Sequence, residues 1–150
     1  MGQFMKKQSA GVYLMILAAI LEIVTIVFYV INCNTDYFVR MGGVDAGLVG
    51  CACLAIVLVV GYVYASNAPG LKVYAGWLPV INGIVMMAAF MIFVNLRAYS
   101  MATIMSFEKS EQTMSDLSSA IVGIACALAA ILLNIVGAFL KATKETAGND

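Results

Sequence analysis

One carboxylic acid lies inside an otherwise apolar stretch near the start of the chain. Glu22 is the single charged residue between Gly11 and Ile31. A charged side chain at the centre of a membrane-spanning helix costs roughly 2.5–3.5 kcal/mol on insertion scales, so it normally faces the bundle interior and has a partner or water. Two interpretations follow. Glu22 belongs to a site for an ion, a proton or a polar substrate, or it is a protonated acid that bonds a neighbouring helix.

Three further polar residues lie in apolar stretches and could join Glu22. Thr25 follows it by about one helical turn, while Asn82 and Asn134 lie in two later stretches. Pro79 precedes Asn82, and a proline inside a helix removes a hydrogen bond and usually bends the helix. Backbone groups freed at such a break line cavities in transporters. We therefore predict an intramembrane polar site of Glu22, Thr25, Asn82 and Asn134 with a helix break at Pro79; separate packing contacts are the alternative.

The remaining composition excludes most other chemistry. The chain has no histidine, and therefore no histidine base and no histidine-ligated zinc or haem. Its four cysteines are not at zinc-site spacing, no glycine-rich phosphate loop is present, and the net charge is zero. We predict no catalytic residue, no metal, no cofactor and no nucleic-acid partner, so the chain is not expected to be an enzyme. A Cys33–Cys51 disulfide is conceivable, while buried free thiols are the default.

The elements that must position these residues are membrane helices. Of the 150 residues, 63% are apolar and 11% charged, whereas a soluble domain is roughly half apolar and a quarter charged. A membrane-spanning helix needs about 20 predominantly apolar residues. Four such runs are predicted as spans, at about 11–31, 46–66, 73–95 and 117–140. The sequence therefore predicts an all-α fold, a single integral membrane domain built as an up-down-up-down four-helix bundle in the lipid bilayer.

The distribution of Lys and Arg predicts the orientation. Five of these residues lie on the side of the termini and three on the other. Because cytoplasmic loops carry the excess of positive charge, both termini are expected in the cytoplasm and the chain in the plasma (inner) membrane, as a multi-pass protein. The longest outer loop is predicted at 96–116. Its first half keeps helical apolar spacing, so it extends the third helix or lies along the interface, and Thr113–Asp116 reads as a capping box for the fourth.

One segment carries a resemblance to known proteins. Phe107-Glu108, followed by the run from Gln112 to Gly123, resembles small bacterial four-helix membrane proteins and is similar to tetraspan segments that accompany family 3 glycosidases. The resemblance implies an anchor or accessory role near carbohydrate processing, without a hydrolase activity in this chain. With the short loops it favours an anchor, accessory subunit or assembly partner whose partner is another membrane protein, an extracytoplasmic protein or a second copy. A small oligomeric transporter or channel that uses Glu22 is the alternative.

Overall fold

The fold consists of four long helices joined by short connections. A computed structural model describes residues 10–68 and 70–140. The long helices are α1 (Ala10–Cys33), α2 (Ala46–Asn67), α3 (Leu78–Ser106) and α4 (Glu111–Phe139). A 3-10 turn, Phe38–Met41, lies between α1 and α2, and a short helical turn, Lys72–Ala75, precedes α3. All four long helices have the length and composition to cross a membrane, which confirms the predicted all-α membrane bundle.

The helices form a closed ring in the order α1, α2, α3, α4. α1 packs most extensively against α4, α2 packs against α3, and the pairs α1–α2 and α3–α4 complete the ring. Sequential neighbours run antiparallel, as predicted for an up-down-up-down bundle. We call the end where α1 begins and α4 ends the lower end. The upper end holds the connections at residues 34–45 and 107–110.

Small residues allow the close approach of α1 and α4. A Cβ atom added to Gly11 would lie 3.0 Å from the Gly137 carbonyl oxygen, and one added to Gly137 would lie 3.2 Å from the Met15 sulfur. At the other end of the same pair, the Asn32 amide donates to the Asp116 carbonyl oxygen at 3.1 Å. The two helices are thus in contact along their whole length, as expected of a small-residue ridge in a membrane helix pair.

Four apolar clusters succeed one another along the bundle axis. The lowest is centred on Met15 and Tyr62, the second on Ala18 and Met86. The third is centred on Tyr29 and Phe93, and the uppermost joins the 3-10 turn to the long helices. Its members are Phe38, Ile104 and Leu117. Between the second and third clusters lies a level where α1 contributes Glu22 and Thr25 instead of apolar side chains.

The outer surface of the ring is apolar, as contact with lipid requires. Large aliphatic side chains on every long helix are exposed, including Ile20, Val57, Ile84 and Leu132. A soluble protein rarely exposes so continuous an apolar surface. This surface supports a bilayer as the surround of the bundle.

The structure corrects several predicted boundaries. Residues 96–106 of the predicted outer loop 96–116 belong to α3, which confirms the alternative that the first half of this segment extends the third helix; its buried positions recur at helical spacing through Ser100 and Ile104. The connection is therefore short, and α4 begins at Glu111 behind a capping box of Ser110 and Thr113, not at Thr113–Asp116. The predicted span 73–95 is divided before Leu78. Of the lysines used to predict orientation, 6, 7, 141 and 144 lie outside the described residues.

Candidate functional site

Two side-chain contacts fix the relative height of α1 and α3, which lie diagonally across the ring. The Tyr29 and Phe93 rings meet edge to face with centroids 5.1 Å apart. One turn higher, Arg97 Nη2 donates to Cys33 Sγ at 2.9 Å. Both pairs have the same separation in sequence, and parallel helices keep their register along their length. The same separation places Glu22 level with Met86.

Glu22 lies at the centre of the bundle in an environment of small apolar side chains. Its exposed fraction is 2%, and within the described residues its carboxyl has no hydrogen-bond or ion-pair partner. The helix registers bring buried alanines from the other three helices to the level of Glu22 and Thr25. These are Ala52 on α2, Ala89 on α3 and Ala127 on α4. The Thr25 hydroxyl donates to the Leu21 carbonyl oxygen at 2.9 Å, so it is satisfied within α1.

The two asparagines lie together about one turn below Glu22. Asn82 Nδ2 donates to Asn134 Oδ1 at 2.8 Å, and Asn134 Nδ2 donates to the Pro79 carbonyl oxygen at 3.1 Å. Asn82 Nδ2 also lies 3.4 Å from Met86 Sδ. Both amides are buried, and Asn82 Oδ1 has no partner among the described residues. This network joins α3 to α4 and leaves one buried acceptor unused.

Gly83 makes room for the network. A Cβ atom at Gly83 would lie 2.9 Å from Asn134 Nδ2, so a larger residue would push the amide away. On its outer side, Asn134 borders an apolar groove of about 560 Å³ between α3 and α4. A second apolar groove, of about 770 Å³, lies between α1 and α2. Both grooves open to the lipid-facing surface.

The structure brings together part of the predicted site. Asn82 and Asn134 are hydrogen-bonded to each other, and Glu22 lies about one turn above them and makes no hydrogen bond to either in the described structure. Thr25 is not part of the amide network. Pro79 does not break a helix interior: it lies in the first turn of α3, where its missing N–H needs no partner. Its carbonyl oxygen nevertheless contributes, because it accepts from Asn134.

Arg97 is a buried functional group that the sequence analysis placed in the outer loop. It is 3% exposed, and its guanidinium carbon lies 4.7 Å from the Phe38 ring centroid and 5.5 Å from that of Tyr29. No carboxylate pairs with it among the described residues, and its Nε atom is unpartnered. The two rings supply cation–π contacts, and the Cys33 sulfur accepts one N–H. The signal that could have found it is the buried stripe from Asn82 through Phe93, which continues to Arg97 at helical spacing.

The upper end is organised around a second carboxylate. Asp116 is 4% exposed; its Oδ2 accepts from the Tyr37 backbone N–H at 3.1 Å and its Oδ1 from Gln112 Nε2 at 3.0 Å. These bonds hold the 34–45 connection against α4. An open polar pocket of about 390 Å³ adjoins it. Desolvation and the neighbouring Glu108 carboxylate raise the pKa of Tyr37 above its ordinary value.

All four cysteines are free thiols in this structure, so the Cys33–Cys51 disulfide is not formed. Cys33 instead accepts from Arg97, and Cys51 is half-buried near the upper end of α2. Within residues 10–68 and 70–140, no group of three or more His, Cys, Asp or Glu side chains is arranged to hold a metal ion.

Comparison with known proteins adds no relative. The chain matches no protein-family model, and no curated protein or solved structure shows significant similarity to it. Function must therefore be argued from the bundle itself.

Proposed function

We propose that this chain is a non-catalytic integral membrane protein that serves as an anchor, accessory subunit or assembly partner of a membrane complex. The observation that carries the proposal is the overhang of α3 and α4. Each has 29 residues, about 44 Å of helix, whereas the hydrocarbon core of a bilayer is about 30 Å thick. At the tip of the overhang, Phe107 is 87% exposed. Aromatic side chains, phenylalanine included, are enriched at protein–protein interfaces relative to the rest of the surface.

The upper end is well suited to present such a surface. Asp116 holds the 34–45 connection in place, and Phe38 anchors the 3-10 turn beneath it in a cluster with Ile104 and Leu117. The surface is therefore preorganised, which lowers the entropy cost of binding. With both termini in the cytoplasm of a bacterial plasma membrane, this end would face an extracytoplasmic partner. The resemblance to glycosidase-associated tetraspan segments makes a protein of carbohydrate processing a suitable class of partner.

Site-specific photocrosslinking in native membranes tests the proposal. A photoreactive residue at Phe107 should give protein adducts of discrete mass, and one at Val57 on the lipid-facing surface of α2 should give lipid adducts. Val57 is the matched control because it is also an exposed apolar residue, at 64%. If Phe107 yields no protein adduct while the chain remains folded in the membrane, the proposed assembly role is wrong.

The second candidate is a small oligomeric transporter or channel, and the burial of Glu22 favours it. A carboxyl without a partner in a membrane interior is a recurrent feature of proton and ion pathways. In the described bundle, the Tyr29–Phe93 contact fills the axis above Glu22, so a pathway would have to form between copies or by rearrangement. Flux of protons or monovalent ions into proteoliposomes, compared between wild type and Glu22→Gln, tests this candidate. Equal flux in both would remove Glu22 from any mechanism.

A further inference from the structure

Two buried oxygen-bearing groups in the middle of the bundle lack donors. Within the described residues, the Glu22 side chain is 2% exposed and makes no hydrogen bond or ion pair, and Asn82 Oδ1 is a fully buried acceptor without a hydrogen bond. An unsatisfied buried acceptor costs free energy because water that would bond it is absent. Two acceptors cannot satisfy each other unless one of them carries a proton.

The helix register brings these groups to neighbouring levels. Glu22 is level with Met86, and Ala18, one turn below Glu22, is level with Asn82. Side chains on a helix lean toward its N-terminus, so in the parallel helices α1 and α3 both Glu22 and Asn82 extend toward the lower end, and Glu22 has the longer side chain. Met86 belongs to the same cluster as Ala18, and its sulfur contacts the Asn82 amide. Glu22 and Asn82 thus border the same cluster from α1 and α3.

Among residues 10–68 and 70–140, an ionised Glu22 has no counter-charge at its level. The other helices present alanines at its level, and the titratable groups nearest to that level are the thiols of Cys51, Cys53 and Cys126, none of which is buried. The buried guanidinium of Arg97 lies at the level of Cys33, about 16 Å higher along the axis. A neutral acid, by contrast, carries one O–H donor, which matches the one unused acceptor below it.

We propose that Glu22 and Asn82 form a proton-binding site at the centre of the bundle, in which the protonated Glu22 carboxyl donates its O–H to Asn82 Oδ1. The proton satisfies both groups at once. Asn134 orients the acceptor, because its own oxygen binds the Asn82 amide nitrogen and so determines which way the Asn82 oxygen points. The proposal goes beyond the assembly role and does not require transport.

Infrared difference spectroscopy of the full chain in lipid tests the site directly. At neutral pH, wild type should show a carboxylic-acid C=O band that shifts in D₂O and that is missing in Glu22→Gln. Gln keeps the size and an N–H donor, so this variant is expected to fold. In Asn82→Leu the band should move to higher frequency because its hydrogen bond is lost. Ser118→Ala, remote in α4 and exposed, is the control that should leave the band unchanged.

Each result decides one part of the proposal. Carboxylate bands alone, with no acid band that Glu22→Gln removes, would show that Glu22 is ionised and would overturn the site. An acid band that disappears when potassium is exchanged for sodium would make the occupant a cation. An acid band unmoved by Asn82→Leu would refute Asn82 as the acceptor. Because no flux is measured, these outcomes are independent of the assembly and transport candidates.

Discussion

Alanine replacement of Asn82 and Asn134, singly and together, measures the energy of the amide pair that joins α3 to α4. The pair shares one hydrogen bond of 2.8 Å, and Asn134 makes a second bond of 3.1 Å to the Pro79 carbonyl oxygen. Hydrogen bonds between membrane helices contribute about 0.6 kcal/mol on average and up to about 1.7 kcal/mol in double-mutant cycles. The two asparagines are fully buried, so we expect a coupling energy in the upper half of that range. Each single change should destabilise the protein, because Asn134→Ala removes the bonds to Asn82 and to the Pro79 carbonyl oxygen, and Asn82→Ala removes the bonds to Asn134 and to the Met86 sulfur.

The chain provides its own reporter for this cycle. Cys33 is 2% exposed, whereas Cys51, Cys53 and Cys126 are at least partly accessible. In a background where those three are replaced by alanine, a maleimide dye that fluoresces on reaction with a thiol reports only the opening of the bundle around Cys33. Unfolding by a denaturing detergent in mixed micelles, followed through this signal, gives the free energy of unfolding of each variant.

Additive effects of the two single changes on the free energy of unfolding would refute the interhelical bond between the amides. Independent sites add within about 0.3–0.5 kcal/mol, so a coupling energy inside that margin would mean that the amides do not form an interhelical bond. A single change that leaves the free energy of unfolding unaltered would also contradict the structure, since each change removes the bond between the two amides. Cys33 labelling of the folded wild type must stay slow for either conclusion to hold.

Two other predictions use the same measurement, and a third uses detergent unfolding followed by circular dichroism, because maleimides hydrolyse at the alkaline pH that it requires. Gly123→Ala should destabilise the protein by about 1–3 kcal/mol, since the added Cβ would lie 2.9 Å from the Phe93 ring, whereas Gly61→Ala meets nothing within 4 Å and should be neutral or stabilising. Equal effects would contradict the packing. Phe38→Ala should lower the free energy of unfolding by about 3–5 kcal/mol, because Phe38 is fully buried. It should also speed the labelling of Cys33. Labelling as slow as in wild type would show that Phe38 does not cover the thiol. The pKa of Tyr37 is raised in the folded state, so folding favours the neutral phenol. The contribution of Tyr37 to the free energy of unfolding is therefore fully present below its ordinary pKa near 10 and declines as the pH rises above that value. Tyr37→Phe should reduce this decline, and parallel pH curves would argue against the shift.

Hydropathy was sufficient to predict the helices, because the membrane imposes one strong rule on the chain. Every backbone polar group in lipid must be bonded within its own segment, so an apolar run of sufficient length becomes a helix. The same rule does not determine where a helix ends outside the lipid. At the upper end, residues 96–106 continue α3 because Ile104 packs against Phe38 of the 3-10 turn and Leu117 of α4. These partners lie outside the local sequence around the end of α3. Local helical spacing in the sequence therefore left two alternatives for this segment, an extension of α3 or a helix along the interface, and the distant contacts decide between them.

The candidate site was predictable in its residue types and unpredictable in its contacts. Their occurrence as polar residues in apolar stretches predicted Asn82 and Asn134 as members of an intramembrane site, but only the α3–α4 register brings Asn82 Nδ2 within 2.8 Å of Asn134 Oδ1. Arg97 was missed for a related reason. Its charge favoured a location in water, in the outer loop. Its position one turn above Phe93, on the buried stripe of α3, indicates instead that the side chain lies in the interior of the bundle. In this protein the position of Arg97 on the helix predicts its burial better than its charge does, because two aromatic rings and a thiol replace water around the guanidinium.

The buried polar groups are accommodated by different means at successive levels of the bundle. The asparagines at the lower level bond each other, and Arg97 near the upper end is held between two aromatic rings with a sulfur acceptor. Both arrangements use fixed partners and therefore stabilise the helix packing without any exchangeable species. Glu22, between them, has no fixed partner among the described residues, and Asn82 Oδ1, about one turn lower, is a buried acceptor without a hydrogen bond. A proton on Glu22 supplies the missing hydrogen bond at this level. Of these three buried groups, Glu22 is therefore the one whose hydrogen bonding depends on a species that can be exchanged with the surroundings.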